Sequence, residues 1–82
     1  MRLDKFLKVS RIIKRRTVAN DACDASHVSV NGRPAKASYD VKVGDEIAVS
    51  FGARTLRVRV LSVKEVVKKE DAAGLYEIVS EA

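Results

Sequence analysis

The sequence predicts an α+β fold, with two short N-terminal helices packed on one face of a small, mostly antiparallel sheet of four or five strands. Three observations carry this reading. Apolar residues in the first quarter of the chain recur at three- and four-residue spacing. From His27 onward the spacing becomes two, Val28 and Val30 alternating with Ser29. Between Val30 and Arg33 stands Asn31-Gly32, a strong two-residue hairpin signal. With 82 residues the chain is near the lower limit for folding without disulfides or metals. A single domain over residues 1–82 is expected, with a core motif over 1–50 and a strand extension over 51–82.

Leu3, Phe6 and Leu7 put an amphipathic helix over Arg2–Val9. Asp4 lies in its first turn, where the helix dipole favours an anion, and is spaced to pair with Lys8. Ser10–Arg15 is basic and β-branched and is read as containing a turn. A second helix covers Arg16–Ala25, with Val18, Ala19, Ala22, Cys23 and Ala25 as its apolar side. Small residues there let it approach the first helix closely. Its start breaks a local rule, because Lys14, Arg15 and Arg16 stand where Ser, Thr, Asp or Asn is preferred. Cations at that end oppose the helix dipole by roughly 0.3–1 kcal/mol each, and the open N–H groups beside them form an anion site that a phosphate would fill. The plain alternative is a frayed helix start among solvated charges.

Val28–Val30 is the first strand, and Arg33–Ala37 returns from the hairpin, with Pro34 limiting it to an edge or a brief strand. Tyr39–Val43 is a connection, Val43-Gly44-Asp45 a turn, and Glu46–Phe51 a strand with Ile47 and Val49 inward. Gly52-Ala53 turns the chain into a long strand, Thr55–Val63. Leu56, Val58 and Val60 mark one of its faces and Arg57 and Arg59 the other. Leu61 and Val63 then fall on the arginine side, which requires cover on both faces or a bulge. Lys64–Ala73 is compatible with a strand extension or with a helical turn ended by Gly74, and Leu75–Val79 is the last strand. Phe6 and Phe51 are assigned to the core on burial tendency.

The location of the charge points to function. Basic residues recur at every third position, Arg2, Lys5, Lys8, Arg11 and Lys14, and Arg15 and Arg16 follow. Residues 1–16 hold seven cations and one anion, a net +6; the remainder holds nine and ten, a net −1. The whole surplus of +5 therefore sits in the opening turns, an address for a polyanion. One cysteine fits a reducing cytosol, and no apolar run reaches membrane-spanning length or resembles a signal-peptide core, so a cytoplasmic protein is expected. The basic helix is too short and too poor in large apolar residues to hold an anionic bilayer. The polyanion is then nucleic acid. Its aromatic residues are only Phe6, Tyr39, Phe51 and Tyr76, which disfavours base stacking on single strands. Structured RNA, read by shape, phosphates and 2′-hydroxyls, is favoured, with affinity falling as salt rises.

Catalysis finds little support in the residues. His27 has no second His and no Cys cluster, so neither a metal site nor a general base is indicated. Asp45 and Glu46 are adjacent and point to opposite faces of a strand. No phosphate-cradling glycine motif occurs, and Cys23 lies on the apolar side of its helix and reads as structural. The expectation is a monomeric, non-enzymatic binding protein with no cofactor, no metal and no small-molecule substrate. Arg54, Arg57 and Arg59 either extend the RNA surface or form a solvated strand face. Lys64, Lys68 and Lys69 read as plain surface, given Glu65, Glu70 and Asp71 among them.

In combination, Arg2-Leu3-Asp4-Lys5-Phe6-Leu7, Arg15-Arg16-Thr17-Val18-Ala19, Val28-Ser29-Val30-Asn31-Gly32 and Val43-Gly44-Asp45-Glu46-Ile47 resemble the S4 RNA-binding domain and its αL motif over about the first fifty residues. Within that family the likeness is to the small stand-alone bacterial proteins of ribosome-associated quality control, relatives of the ribosome-associated heat-shock protein. The tail, with Lys68-Lys69 and Ala72 to Glu77, is also similar to theirs. The resemblance implies binding to large ribosomal subunits that hold peptidyl-tRNA after a stalled ribosome splits. It implies contacts with large-subunit rRNA and tRNA, and support of a partner factor that tails the stalled nascent chain. By position it implies RNA contacts at Arg2, Lys5, Arg15 and Arg16, with Lys14 beside them, and at the hairpin residue Arg33. With the basic repeat, the candidate RNA-binding set is Arg2, Lys5, Lys8, Arg11, Lys14, Arg15, Arg16 and Arg33. This sequence departs from the family pattern at Arg15, where Ser or Thr is usual, and at Ser26, where Gly is usual.

Other readings stay open at this point: a general large-subunit assembly or recycling factor, an RNA-recognition module acting in trans for an RNA-modifying enzyme or tRNA ligase, and an adaptor whose basic helix binds an acidic protein. Salt dependence on RNA alone separates the adaptor from the others.

Overall fold

A computed structural model describes residues 1–64, 68, 72 and 74–81. Helices α1 (Leu3–Val9) and α2 (Arg16–Asp24) precede five strands: β1 (Val28–Val30), β2 (Arg33–Pro34), β3 (Glu46–Phe51), β4 (Arg54–Val60) and β5 (Tyr76–Glu81). All strand pairs are antiparallel, in the order β2-β1-β3-β4-β5. The α+β architecture expected from the change of period is the one observed.

Asn31 and Gly32 both adopt positive φ, +53° and +84°. A type I′ two-residue hairpin demands this at both central positions, and it sets the register Val30↔Arg33. Pro34, which cannot donate to a ladder, sits in the edge strand. Cross-strand rows then run inward as Val30–Ile47–Val58 and Val28–Val49–Leu56. Leu3, Phe6 and Leu7 from α1 and Ala19 and Cys23 from α2 complete the core with Ile13, Val41, Val60 and Leu75. Ala19 and Cys23 are four residues apart, so they form one narrow stripe, and their small size lets the helices pack closely.

Both helices end on a residue in the left-handed region. After α2, Ser26 has φ +62°, its N–H donates to the Cys23 carbonyl (3.1 Å) and the His27 N–H donates to the Ala22 carbonyl (2.9 Å). This is a Schellman closure, a geometry glycine adopts without strain. The Gly-to-Ser departure therefore leaves the turn intact and strained. Arg11 occupies the matching place after α1 with φ +62°, its N–H donating to the Lys8 carbonyl at 3.0 Å.

Four expectations are corrected. Phe51 is 46% exposed, because the end of β3 runs past the cover that the helices give Ile47 and Val49. Val18 is 50% exposed and Ala25 also faces solvent, so the apolar side of α2 is narrower than its composition suggested. The fourth strand ends at Val60, beyond which Leu61 and Val63 are exposed and the Leu61 N–H donates to the Leu75 carbonyl. The irregularity is on β5, where the partner of Arg57 is Ser80 and that of Val58 is Ile78, leaving Val79 as the extra residue. Finally, Asp4 is not paired with Lys8 but is 2% exposed and holds other partners. Most of Lys64–Ala73, including Glu65, Lys69, Glu70 and Asp71, lies outside the described residues.

Candidate nucleic-acid interface

The first turn of α1 is built from both sides. The segment after β2 runs back beside it, so that the Leu3 N–H donates to the Tyr39 carbonyl (2.8 Å) and the Asp4 N–H to the Ala37 carbonyl (3.2 Å). These loop carbonyls satisfy helix-start donors that no side chain caps. Arg2 itself bridges to Asp40, which fixes its backbone against the same loop. The loop is anchored in turn by Asp45, whose carboxylate accepts from Tyr39 Oη (3.1 Å), Asn31 Nδ2 (3.2 Å) and the Lys42 N–H (2.9 Å). This network ties the hairpin carrying Arg33 to the base of α1.

At the joint of the two helices lies the buried carboxylate of Asp4. Arg2 donates to it through a fork, Nε–H to Oδ1 at 3.2 Å and Nη2–H to Oδ2 at 3.3 Å. The Lys5 N–H donates to Oδ1 at 2.8 Å and Asn20 Nδ2 to Oδ2 at 3.3 Å. Arg16 Nε, from the first turn of α2, lies 3.4 Å from Oδ2. Burial alone would raise the Asp4 pKa. The hydrogen bonds from Arg2, Asn20 and the Lys5 N–H, with the charge of Arg16, outweigh it and hold the pKa below the usual carboxylate value. Asp4 is therefore an anion, and two guanidiniums from different helices converge on it. The side chains of Arg2 and Arg16 are about half exposed, 50% and 46%, so each keeps an outward edge in water.

The other candidates surround this joint. Lys5 is half-buried, and Lys8 is exposed further along α1. Arg11 projects from the left-handed turn, and Lys14 and Arg15 are exposed just before α2. Arg15 is the extended N-cap residue of α2, and no side chain caps that helix, as its sequence indicated. Arg33 is exposed on β2, apart from the helix joint. Lys36, not singled out from the sequence, bridges that separation. It lines one groove with Arg2 and Asn20, and a second with Arg33 and Tyr39. Its signal is a basic residue two positions after Pro34, in a stretch that reads as a strand but is in fact loop.

Of the sheet arginines, Arg59 is engaged by Glu77 at 2.7 Å, and Arg54 and Arg57 are exposed. Cys23 is buried, and desolvation pushes its thiol up to about 11, with the charges of Asp4 and Asp24 adding to the effect. That is the opposite of an activated thiol. Among the described residues there is no group of three His, Cys, Asp or Glu side chains able to hold a metal, and no helix is long and apolar enough to cross a membrane.

Comparison with known proteins adds a family. The S4 domain profile matches residues 1–47. A Streptococcus pneumoniae protein named RQC P-site tRNA stabilizing factor is 59% identical over 81 residues, covering 99% of this chain and 92% of that protein. A Bacillus subtilis protein of the same name is 56% identical, covering 99% and 94%. The trimeric structure of Vibrio cholerae heat shock protein 15 superposes with a TM-score of 0.89 at 27% identity, over 98% of this chain and 82% of that one.

Proposed function

The chain belongs to the S4 domain family, and on that premise we propose that it is a non-enzymatic RNA-binding factor of the large ribosomal subunit. In this reading it contacts large-subunit rRNA and tRNA, and stabilises peptidyl-tRNA while a partner factor tails the stalled nascent chain. The relatives' name, with its P-site tRNA, supports the tRNA part of the reading. The likeness to heat shock protein 15 supports its place among such factors. A cytoplasmic location follows from a ribosomal partner.

The observation that carries the RNA reading is the helix joint, where Arg2 and Arg16 are drawn onto one buried carboxylate within a segment of net charge +6. Guanidinium forks suit phosphate geometry, and a rigid pair loses little freedom on binding. Lys5, Lys8, Arg11, Lys14 and Arg15 supply further phosphate contacts around it, and Lys36 continues the basic path towards Arg33. Such a surface reads an A-form backbone rather than a base sequence.

The test is binding to purified large subunits and to free tRNA across a salt series. Arg16 is tied to Asp4, so Arg16→Ala perturbs both fold and surface. Lys14→Ala/Arg15→Ala is cleaner, because both side chains are exposed. Removing two phosphate contacts should lower the salt slope by about 1.8 and weaken binding at least tenfold. A variant that binds both RNAs with the wild-type slope removes Lys14 and Arg15 from the interface.

A further inference from the structure

We propose that Asp4 is a positioning residue of the RNA surface: its buried carboxylate fixes the guanidiniums of Arg2 and Arg16 in register, so that an anion contributes to binding a polyanion. The inference rests on the RNA reading above and adds a residue that carries the wrong charge for an RNA contact.

Asp4 stands amid the buried stripe of α1, between Leu3 and Phe6, where an apolar residue would fill space without desolvating a charge. Its side chain is only 3% exposed, and it is held by groups at the helix joint: Arg2, the Lys5 N–H, Arg16 and Asn20. Arg2 precedes α1, whereas Arg16 and Asn20 stand one turn apart on α2. One carboxylate thus sets both the helix–helix register and the direction of two arginines. Long arginine side chains lose rotamer freedom when they bind, and holding them beforehand removes that loss. The contacts engage Nε of each arginine and Nη2 of Arg2, and both side chains remain about half exposed.

The sign of one substitution separates this idea from simple charge. Asp4→Asn raises the net charge by one, as does Glu46→Gln on the outward side of β3, remote from the joint. Charge alone predicts that each variant binds RNA equally or up to about threefold more tightly. Positioning predicts that Asp4→Asn binds about tenfold more weakly, while Glu46→Gln does not weaken binding.

The measurement pairs RNA titration with the arginine Nε–Hε signals in NMR spectra of the free protein, assigned by Arg2→Lys and Arg16→Lys. The wild type should show two dispersed, slowly exchanging signals, both lost in Asp4→Asn and retained in Glu46→Gln. Where Asp4→Asn lowers the folded fraction, Asn20→Ala serves instead. It leaves the charge unchanged, suits a helix, and should cost about threefold in affinity. Retention of both signals in Asp4→Asn, or RNA binding as tight as that of Glu46→Gln, overturns the positioning role. Dispersed wild-type signals with no RNA binding by the wild type overturn the RNA reading instead, and leave the clamp as a structural device.

Discussion

Arg11 and Ser26 close α1 and α2 in the same left-handed conformation, so replacing each by glycine is a matched experiment with divergent outcomes. An L-residue in this region costs roughly 1–2 kcal/mol through the clash of Cβ with the following carbonyl, and glycine escapes it. Glycine returns roughly 0.5–1 kcal/mol of that gain through its larger unfolded-state entropy. Each φ is +62° and each side chain is exposed, so the net effect should be stabilisation by about 0.5–1 kcal/mol at both sites. For a domain of this size that is a rise in Tm of about 2–8 °C. The binding outcomes differ. Ser26→Gly should leave RNA affinity unchanged. Arg11→Gly should lower the salt slope by about 0.9, because one phosphate contact is gone. Urea unfolding followed by circular dichroism reads the first quantity, and tRNA titration at several salt concentrations reads the second. If Arg11→Gly destabilises the fold, Arg11 holds the turn through its side chain and the strain argument fails. If it stabilises the fold and leaves the slope unchanged, Arg11 is strained for a reason other than RNA.

Two further outcomes follow from burial. Asp4 has a depressed folded-state pKa, so its contribution to stability is complete above the unfolded carboxylate value near 3.8 and is lost as pH falls through the native value. The stability gap between wild type and Asp4→Asn should be about 1–3 kcal/mol at pH 7 and should close in strong acid; a gap that persists unchanged into strong acid contradicts the ionised clamp. Phe6→Ala should cost about 3–5 kcal/mol, whereas Phe51→Ala should cost less than about 1 kcal/mol, read by urea midpoints. Comparable losses at the two sites would mean that Phe51 is covered in solution.

Much of this fold is legible in the sequence because its signals are local. Leu3, Phe6 and Leu7 report a helix face by spacing alone, and Asn31-Gly32 reports its hairpin because few other residues tolerate that backbone. Ile47 and Val49 point inward by simple alternation. What escaped is tertiary. Phe51 shares the face of Val49, but the helices end before covering it, and no local pattern encodes where cover stops. In α2, Val18 belongs to the first turn and faces away from the Ala19–Cys23 stripe. The eight candidate cations were legible as a charge pattern; their arrangement was not. Asp4 reads as a helix-start anion with Lys8 in range, yet its partners Arg16 and Asn20 come from the next helix. One signal for its burial was present: an aspartate set inside the apolar run Leu3, Phe6, Leu7 is on the buried side of its helix, where it needs partners from elsewhere. Lys36 carries no periodic signal, because its place between the two grooves is set by the path of a loop.

In the proposed function this basic joint engages the large ribosomal subunit in its peptidyl-tRNA-bound state. The direct test is co-sedimentation of the protein with large subunits carrying peptidyl-tRNA, empty large subunits and small subunits, each over a salt series. Preferential, salt-sensitive binding to the first, weakened by Lys14→Ala/Arg15→Ala, is the expected result. Equal binding to both large-subunit forms would retain the RNA surface but contradict the peptidyl-tRNA role in favour of assembly or recycling, and binding to none of the three would contradict the ribosomal function altogether.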